Sequence, residues 1–393
     1  MKRSIYTKVF KLLSTILLVT GALSAPLSAK ENRAQKLEEF GALIVNVLNE
    51  RDAEAFCRQI DFNDLAMRAA KDIFDKKSEQ SDYARGFNKS SAQICERVVA
   101  NLEYAEGKTK FRGIVERDGQ KRIVVRFDLG DSGFDYVEYR VKSLNNEYQI
   151  FDWYQLTTGQ LVSETIGAMS KLMMDPNPGI LKKLLDIKTI DKDLSSQMTT
   201  MFQAFRDKRF KDVLTAYESL PDPVKYSRII ITYAMAAANH SGDEAKYKGM
   251  LSVLAEHHSS DPSAAFMLVD YYYYQGDWDK VLASIDTLES RFGKDAMLEL
   301  LKANVYWGNG DYLSLEQHAK NAIAMEPDFE DPYFTLAQGY IELEQFENAT
   351  NIFDLLVNNF GYYFSKEEFA ADPSFSIFVA SQAFANWAHI HED

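Results

Sequence analysis

The chain is poor in the residues that most enzymes place at a reacting centre. It has six histidines and two cysteines in 393 residues. All six histidines, His240, His257, His258, His318, His389 and His391, fall in the second half. The first half therefore lacks the His that nucleophile–base pairs depend on. There is no clustered Cys/His set with metal-ligand spacing, and no glycine-rich phosphate loop. No metal and no cofactor is expected. Positive charge is scarce as well, with 44 Lys and Arg against 58 Asp and Glu. A chain of net charge −14 is poorly suited to nucleic acid or anionic lipid, both of which are gripped by Lys and Arg. These absences point away from chemistry and toward binding.

The start of the chain bears on compartment. Lys2, Arg3, Lys8 and Lys11 precede an apolar run from Leu12 to Leu23 that ends in small residues around Ala25 and Ala29. Basic flank, short apolar core and small-residue exit describe a secretory signal peptide over 1–29. The run is too short for a spanning helix, and no cysteine near its exit could carry a lipid. Cleavage after Ala29 removes four bases and no acids, taking the net charge from −14 to −18. The expected location is the periplasm of a Gram-negative bacterium, or outside the cell, without stable membrane insertion after cleavage.

In an exported protein the pair Cys57 and Cys95 reads as a disulfide. Each lies in a stretch of helical periodicity, 53–60 and 90–102, so the bond would staple two helices. Closing that loop is worth about 4 kcal/mol in the chain-entropy account.

Residues 30–178 read as an α+β domain. Helical patterns run over 35–49, 62–74 and 83–102, and then the period changes to two. Four strands are expected over 111–117, 122–129, 135–142 and 148–153, joined by short turns. Asp118-Gly119 is a type I′ hairpin signal. In the third strand Tyr136, Glu138 and Arg140 share one face, and Asp135, Val137, Tyr139 and Val141 the other. An amphipathic helix follows over 161–174, and Pro176-Asn177-Pro178 marks a boundary. Helices and then a four-stranded antiparallel meander suggest helices covering one sheet face. In element order this resembles the curved-sheet folds of the nuclear-transport-factor-2-like or cystatin-like kind. Asp128, Asp131, Asp135 and Asp152 could collect as a carboxylate or cation site, with strand-end solvation the plainer reading.

From 179 to 393 the sequence repeats itself. Gly242, Gly276 and Gly310 are spaced 34 apart, each followed by an acid, and the frame extends to Lys208 and Glu344. Four residues before each frame point stand Ala204, Ala238, Tyr272, Tyr306 and Tyr340. Five after it stand Val213, Tyr247, Val281, Leu315 and Ala349; twelve after it, Leu220, Leu254, Leu288, Ala322 and Leu356. An aromatic sits two past the point at Phe210, Trp278, Tyr312 and Phe346, with Glu244 breaking the series. Five frames are readable, 194–227 to 330–363. This period and these offsets resemble tetratricopeptide repeats. The resemblance implies paired helices stacked into an all-α solenoid with a concave groove, and a role in holding another molecule. Phe375, Phe378, Phe384 and Trp387 form an apolar C-terminal segment suited to capping the last repeat.

The resemblance also implies which residues line the groove, namely set positions of the first helix in each hairpin. Here these are Met198, Phe202 and Phe205; Thr232, Ala236 and Asn239; Phe266, Asp270 and Tyr273; Leu300, Asn304 and Trp307; Phe334, Gln338 and Ile341. The line is aromatic and aliphatic, with amides and one acid. It lacks the basic cluster with which chaperone-tail-binding relatives clamp a terminal carboxylate. An apolar segment of a partner protein or peptide fits it better. His257-His258, at a repeat's end, reads as capping or solvated, and Tyr271–Tyr274 as packing residues with one exposed stripe.

Two functions follow. One is a non-enzymatic exported scaffold that binds a partner through the groove. The other is a small-molecule or lipid-binding module with a pocket in the α+β domain, docked to a complex by the repeats. An open apolar cavity under the sheet would favour the second, and a fully packed sheet face the first. Thiol labelling of denatured, unreduced protein purified from the envelope should find no free cysteine. Two reactive thiols would contradict both the bond and the oxidising location.

Overall fold

A computed structural model describes residues 33–390, apart from 72, 131–132, 145–146, 175–191, 260 and 262. The expected signal segment 1–29, Asp131 and the expected boundary at 176–178 lie outside the described residues. The chain divides into two compact units. One runs to Gln155 and includes Gln160–Gly167; the other comprises Leu156–Gly159 and the residues from Ala168 onward.

The first unit opens with helix α1 (33–49). Then come α2 (Ala53–Arg58), α3 (Phe62–Lys71), α4 (Lys77–Asn88) and α5 (Ala92–Tyr104). Five strands follow in antiparallel sequential order: β1 (Lys108–Arg117), β2 (Gln120–Asp128), β3 (Phe134–Leu144), β4 (Glu147–Gln155) and the two-residue β5 (Gln160–Leu161). Helix α6 (Val162–Met174) starts directly after them. The single helical pattern expected over 83–102 is broken. Ser90 and Ser91 turn their hydroxyls back onto the carbonyls of Phe87 and Asn88, at 3.1 and 3.0 Å, competing with helix continuation. The β1–β2 turn has φ +52° at Asp118 and +68° at Gly119, as a type I′ turn requires.

Leu37, Phe40, Ile44 and Leu48 recur at helical spacing along α1. They are buried with Ile123, Val125, Phe127, Val137, Tyr139 and Trp153 of the sheet. The opposite sheet face is also out of water, yet it is polar. Arg122 reaches Glu138 at 3.2 Å and Arg126 reaches Asp128 at 2.6 Å, with Arg126 and Glu138 fully buried. A buried charge is tolerable only when paired in this way. At the edge of the helical layer Lys142 of β3 holds both Asp61 and Asp64 at 2.7 Å, pinning the start of α3. Cys57 of α2 and Cys95 of α5 stand 5.8 Å apart between Cα atoms, a separation that a disulfide spans.

The second unit is a tetratricopeptide-like solenoid of helical hairpins. Its pairs are α7 (Lys192–Arg206) with α8 (Phe210–Ser219), and α10 (Arg228–Ser241) with α11 (Glu244–His258) after the short α9 (Asp222–Lys225). Then come α12 (Ala265–Gln275) with α13 (Trp278–Phe292), α14 (Ala296–Asn309) with α15 (Tyr312–Met325), and α16 (Asp331–Glu342) with α17 (Phe346–Phe360). Every hairpin turns on the same hydrogen bond. The amides of Arg209, Asp243, Asp277, Asp311 and Gln345 donate to the carbonyls of Ala204, Ala238, Tyr272, Tyr306 and Tyr340 at 2.8 to 3.0 Å. That six-residue closure is a Schellman turn, which needs a left-handed residue at the frame point. Gly242, Gly276 and Gly310 supply it with φ of +67° to +79°. Lys208 and Glu344 adopt it too, at +58° and +55°, at a local cost of about 1–2 kcal/mol each. Asp243, Asp277 and Asp311 then cap the second helix by accepting from its backbone.

The interior offsets are filled as the repeat requires. Val213, Val281, Leu315, Ala349, Leu254, Leu288, Ala322 and Leu356 are all fully buried. Beyond α17 lie α18 (Lys366–Ala371), a 3-10 turn (Pro373–Phe375), α19 (Ser376–Val379) and α20 (Gln382–Ile390). Phe369, Phe378 and Trp387 place their rings 5.0, 5.7 and 5.8 Å from that of Phe353 on α17, and the Trp387 indole donates to Asp354 at 2.7 Å. This segment closes the open end of the stack.

Ala349 is fully buried in the apolar cluster of the last hairpins, so a longer, charged side chain there would be taken out of water. Ala349→Glu should lower stability by several kcal/mol, read as a fall in the calorimetric melting temperature. An unchanged melting temperature would refute the assigned register of the fifth hairpin.

Candidate functional site

The helical groove positions do not share one environment. At the first hairpin Met198 and Phe202 are buried, and Phe205 is half-buried. The rings of Phe202 and Phe205 pack edge-on against Tyr233 of the next hairpin at 4.9 and 4.8 Å. At the fifth, Ile341 is buried, and Phe334 is covered by Tyr362 and Phe364 at 5.0 and 6.4 Å. Leu300 is buried in the fourth hairpin. Phe266, Thr232, Ala236, Asn304 and Gln338 are half-buried. The Gln338 amide donates to Glu342 one turn on, and Asn304 accepts from the Thr335 hydroxyl at 3.2 Å. The residues left open are Asn239, Asp270, Tyr273 and Trp307.

Tyr273 and Trp307 end the first helices of neighbouring hairpins, and the two hairpins touch there. A Cβ added to Gly308 would lie 2.8 Å from the Trp278 ring and 3.4 Å from the Tyr273 hydroxyl. Tyr273 and Trp278 meet edge-on at 5.3 Å. Glycine at 308 thus lets two aromatic side chains close against α14, while Trp307, the preceding residue, is 45% exposed. Trp278 and Gly308 were not expected at the site. Trp278 was visible only as the aromatic of its repeat, and its approach to Gly308 depends on how the hairpins stack.

Asp270 lies one turn before Tyr273. Surrounding protein pushes its carboxyl up, and among the described residues no cation is paired with it. Burial, together with the charge of Asp270, raises the neighbouring Tyr247 hydroxyl to about 12. Tyr274, next to the site, is taken up by Lys248, whose ammonium lies 4.4 Å from the ring centre. Exposed aromatics at neighbouring hairpins, with an exposed carboxylate whose pKa is raised, can receive a segment that is apolar and carries a positive charge.

Three histidines, His257, His258 and His318, are tied into the packing. His257 stacks on Tyr226 at 4.3 Å, His258 Nε2 lies 2.8 Å from the Tyr226 carbonyl, and His318 Nδ1 lies 2.8 Å from buried Glu299. In the first unit Asp128 is committed to Arg126, and Asp152 accepts from the Ser163 hydroxyl at 2.6 Å. Among the described residues no three His, Cys, Asp or Glu gather as a metal site, and no helix is long and apolar enough to cross a membrane.

The helical face of the sheet is incompletely packed. A cavity of about 140 Å³ lies between it and helices α2 and α5. Phe56, Leu102, Phe127, Val137, Tyr139 and Trp153 form its floor and walls, and Val98, Asn101, Leu129, Asp135 and Gln155 complete the lining. Nothing in the alternating sequence pattern announced this gap.

No protein-family model matches the chain, and neither does any curated protein sequence. Among solved structures it is similar to MamA MSR-1 C2 at 12% identity and a TM-score of 0.35, covering 42% of this chain and 94% of that one. It is similar to a tetratricopeptide repeat protein from Parabacteroides merdae at 14% identity and a TM-score of 0.35, covering 58% and 83%. It also matches the TPR2AB domain of yeast Sti1 in its complex with pHSP90, at 14% identity and a TM-score of 0.23, covering 50% and 87%. At these scores the argument for the repeat rests on this chain's own turns and offsets.

The state of Asp270 can be measured. A carboxyl whose folded pKa is raised above its unfolded value weakens the fold while ionised; that penalty fades as pH falls through the folded pKa. Asp270→Asn should therefore raise the melting temperature at pH 7 by about 1–2 °C, with solvent screening keeping the gain small. The gain should be gone below about pH 3.5, under the unfolded Asp pKa. A gain independent of pH would show that the carboxylate is not the cause.

Proposed function

We propose that this protein is an exported, non-enzymatic scaffold whose solenoid holds an apolar, basic segment of a partner protein or peptide. The observation that carries this reading is that Tyr273 and Trp307, at equivalent positions of neighbouring hairpins, and Asp270, one turn before Tyr273, are left open. Large aromatics bring contact area with little side-chain entropy to lose, and they dominate binding energy where they are found at interfaces. A carboxylate whose pKa is raised by its surroundings is relieved by a cation, so Asp270 favours Lys or Arg in the bound segment. The chain's net charge of −14 draws such partners over longer range. An amphipathic helix is the expected form, since its one-sided apolar stripe matches a line of groove positions. The expected line of aromatic and aliphatic groove residues contracts to the third and fourth hairpins, because the first and fifth use their aromatics for packing. The basic leader and its short apolar core support export, with action in the periplasm.

The cavity under the sheet supports a second activity, small-molecule binding by the first unit. By the sheet-face criterion this gap favours the second reading, while the open aromatic positions of the repeats favour the first.

A panel of helical peptides separates the components of the main reading. Basic apolar peptides should bind better than acidic apolar ones. Trp307→Ala should keep the helical circular-dichroism spectrum and weaken the basic peptides by about 2 kcal/mol. Asp270→Lys should reverse the charge preference. Unchanged affinity in both variants would move the interaction off this face.

A further inference from the structure

The polar face of the sheet leaves one charge unmatched. Arg140 of β3 is half-buried, and its Nε is out of water without a hydrogen-bond partner. Among the described residues its guanidinium closes no ion pair, unlike those of Arg122 and Arg126 on the same face. Its immediate surroundings add positive charge. Arg122 is its cross-strand partner on β2, and like charges placed directly opposite each other repel. Arg68 of α3 is near enough to add to that repulsion. Burial, and then the charge of Arg122, hold the Arg140 guanidinium below the ordinary arginine value. It stays charged all the same, because arginine keeps its proton in proteins.

The neighbouring groups are already engaged. Arg122 gives one arm to Glu138 at 3.2 Å and the other to Asp118 at 2.9 Å. Arg68 donates to Asp64 at 2.9 Å and lies 4.2 Å from the centre of the Phe151 ring. Asp152, paired across from Arg140 on β4, accepts from the Ser163 hydroxyl at 2.6 Å, the Ser163 amide at 3.1 Å and the Trp153 amide at 2.9 Å. Glu164 of α6 accepts from the Leu161 amide at 3.0 Å. Asp152 and Glu164 attract Arg140 through space, yet neither closes an ion pair with it. Each acid within reach is thus turned to another donor.

These commitments select the ligand. The chain's net charge of −14 opposes anions at long range, so only a local group of cations can hold one. One uncommitted guanidinium offers parallel N–H donors that match the two oxygens of a single carboxylate. A doubly charged oxyanion such as phosphate would be balanced by that one cation only in part, and would meet Asp152 and Glu164 with the remainder.

The geometry points to Arg140 as the anchor of a small-molecule site on the polar sheet face, one that takes an organic acid by its single carboxylate. This site depends on neither the solenoid groove nor the cavity on the opposite sheet face. Backbone-amide NMR of residues 138–142 and 150–154 in the full mature chain tests it. The probes are acetate, its neutral isostere acetamide, and phosphate, at constant ionic strength set with chloride. Acetate should shift these resonances saturably with a Kd below about 10 mM, and acetamide should bind at least about tenfold more weakly. Arg140→Gln should weaken acetate at least about tenfold. It removes an unpaired charge rather than half of a pair, so the variant should melt no lower than the parent. Arg140→Lys keeps the charge and loses the fork, so it should retain only part of the affinity; it serves if the Gln variant does not fold. A Gln variant that folds but melts well below the parent would show that Arg140 is already matched within the protein, and would overturn the site. Phosphate binding more tightly than acetate would overturn the monocarboxylate assignment. Undiminished acetate binding by Arg140→Gln, or no saturable shift in the parent, would overturn the site itself.

Discussion

One backbone hydrogen bond, made five times, organises the second unit. In each hairpin an amide reaches back to a carbonyl five residues earlier across a residue in the left-handed conformation. That closure reverses the chain after the first helix and sets where the second begins. Everything downstream depends on it. If the reversal slipped by one residue, the interior offsets would rotate about 100° around the second helix and present polar side chains to the stack. Lys208 and Glu344 show how strong the constraint is. Both accept a backbone conformation that side chains disfavour, so the packing it permits outweighs a local penalty of about 1–2 kcal/mol.

The first unit depends on a different device. Its sheet has an apolar face for the helices and a polar face carrying Arg122, Arg126 and Glu138, and both are shielded from water. The apolar face is stabilised by area removed from water. The polar face needs each charge to find its counterpart, because an unmatched one would cost more than several apolar contacts return. Such a face specifies partners and register more sharply than it stabilises them.

Much of this was legible in the sequence, for identifiable reasons. The 34-residue frame could be read because the closure recurs at fixed spacing and glycine is the residue that best tolerates it. The strands could be read from alternation, and the β1–β2 turn from Asp118-Gly119. The pairing of Cys57 with Cys95 followed from there being no other cysteines. What escaped was whatever depends on side chains of different elements meeting. Two serines cut one apparent helix into α4 and α5. Tyr233 covers Phe202 and Phe205, while Tyr362 and Phe364 cover Phe334, so positions equivalent by repeat are unequal by exposure. The approach of Trp278 to Gly308 and the gap beneath the sheet are likewise properties of packing. A periodic pattern says which face of an element turns inward, but not how completely its neighbours fill the space.

The place of the open aromatic patch within the array has a mechanical meaning. In a stack where each hairpin leans chiefly on the ones beside it, unravelling starts from the ends and travels inward. The third and fourth hairpins are flanked on both sides, and the far end is sealed by the rings around Phe353. Tyr273 and Trp307 therefore belong to the stretch that stays intact longest as the ends breathe. A molecule gripped there would feel little of that fraying, and its residence time would be uncoupled from the looseness of the termini.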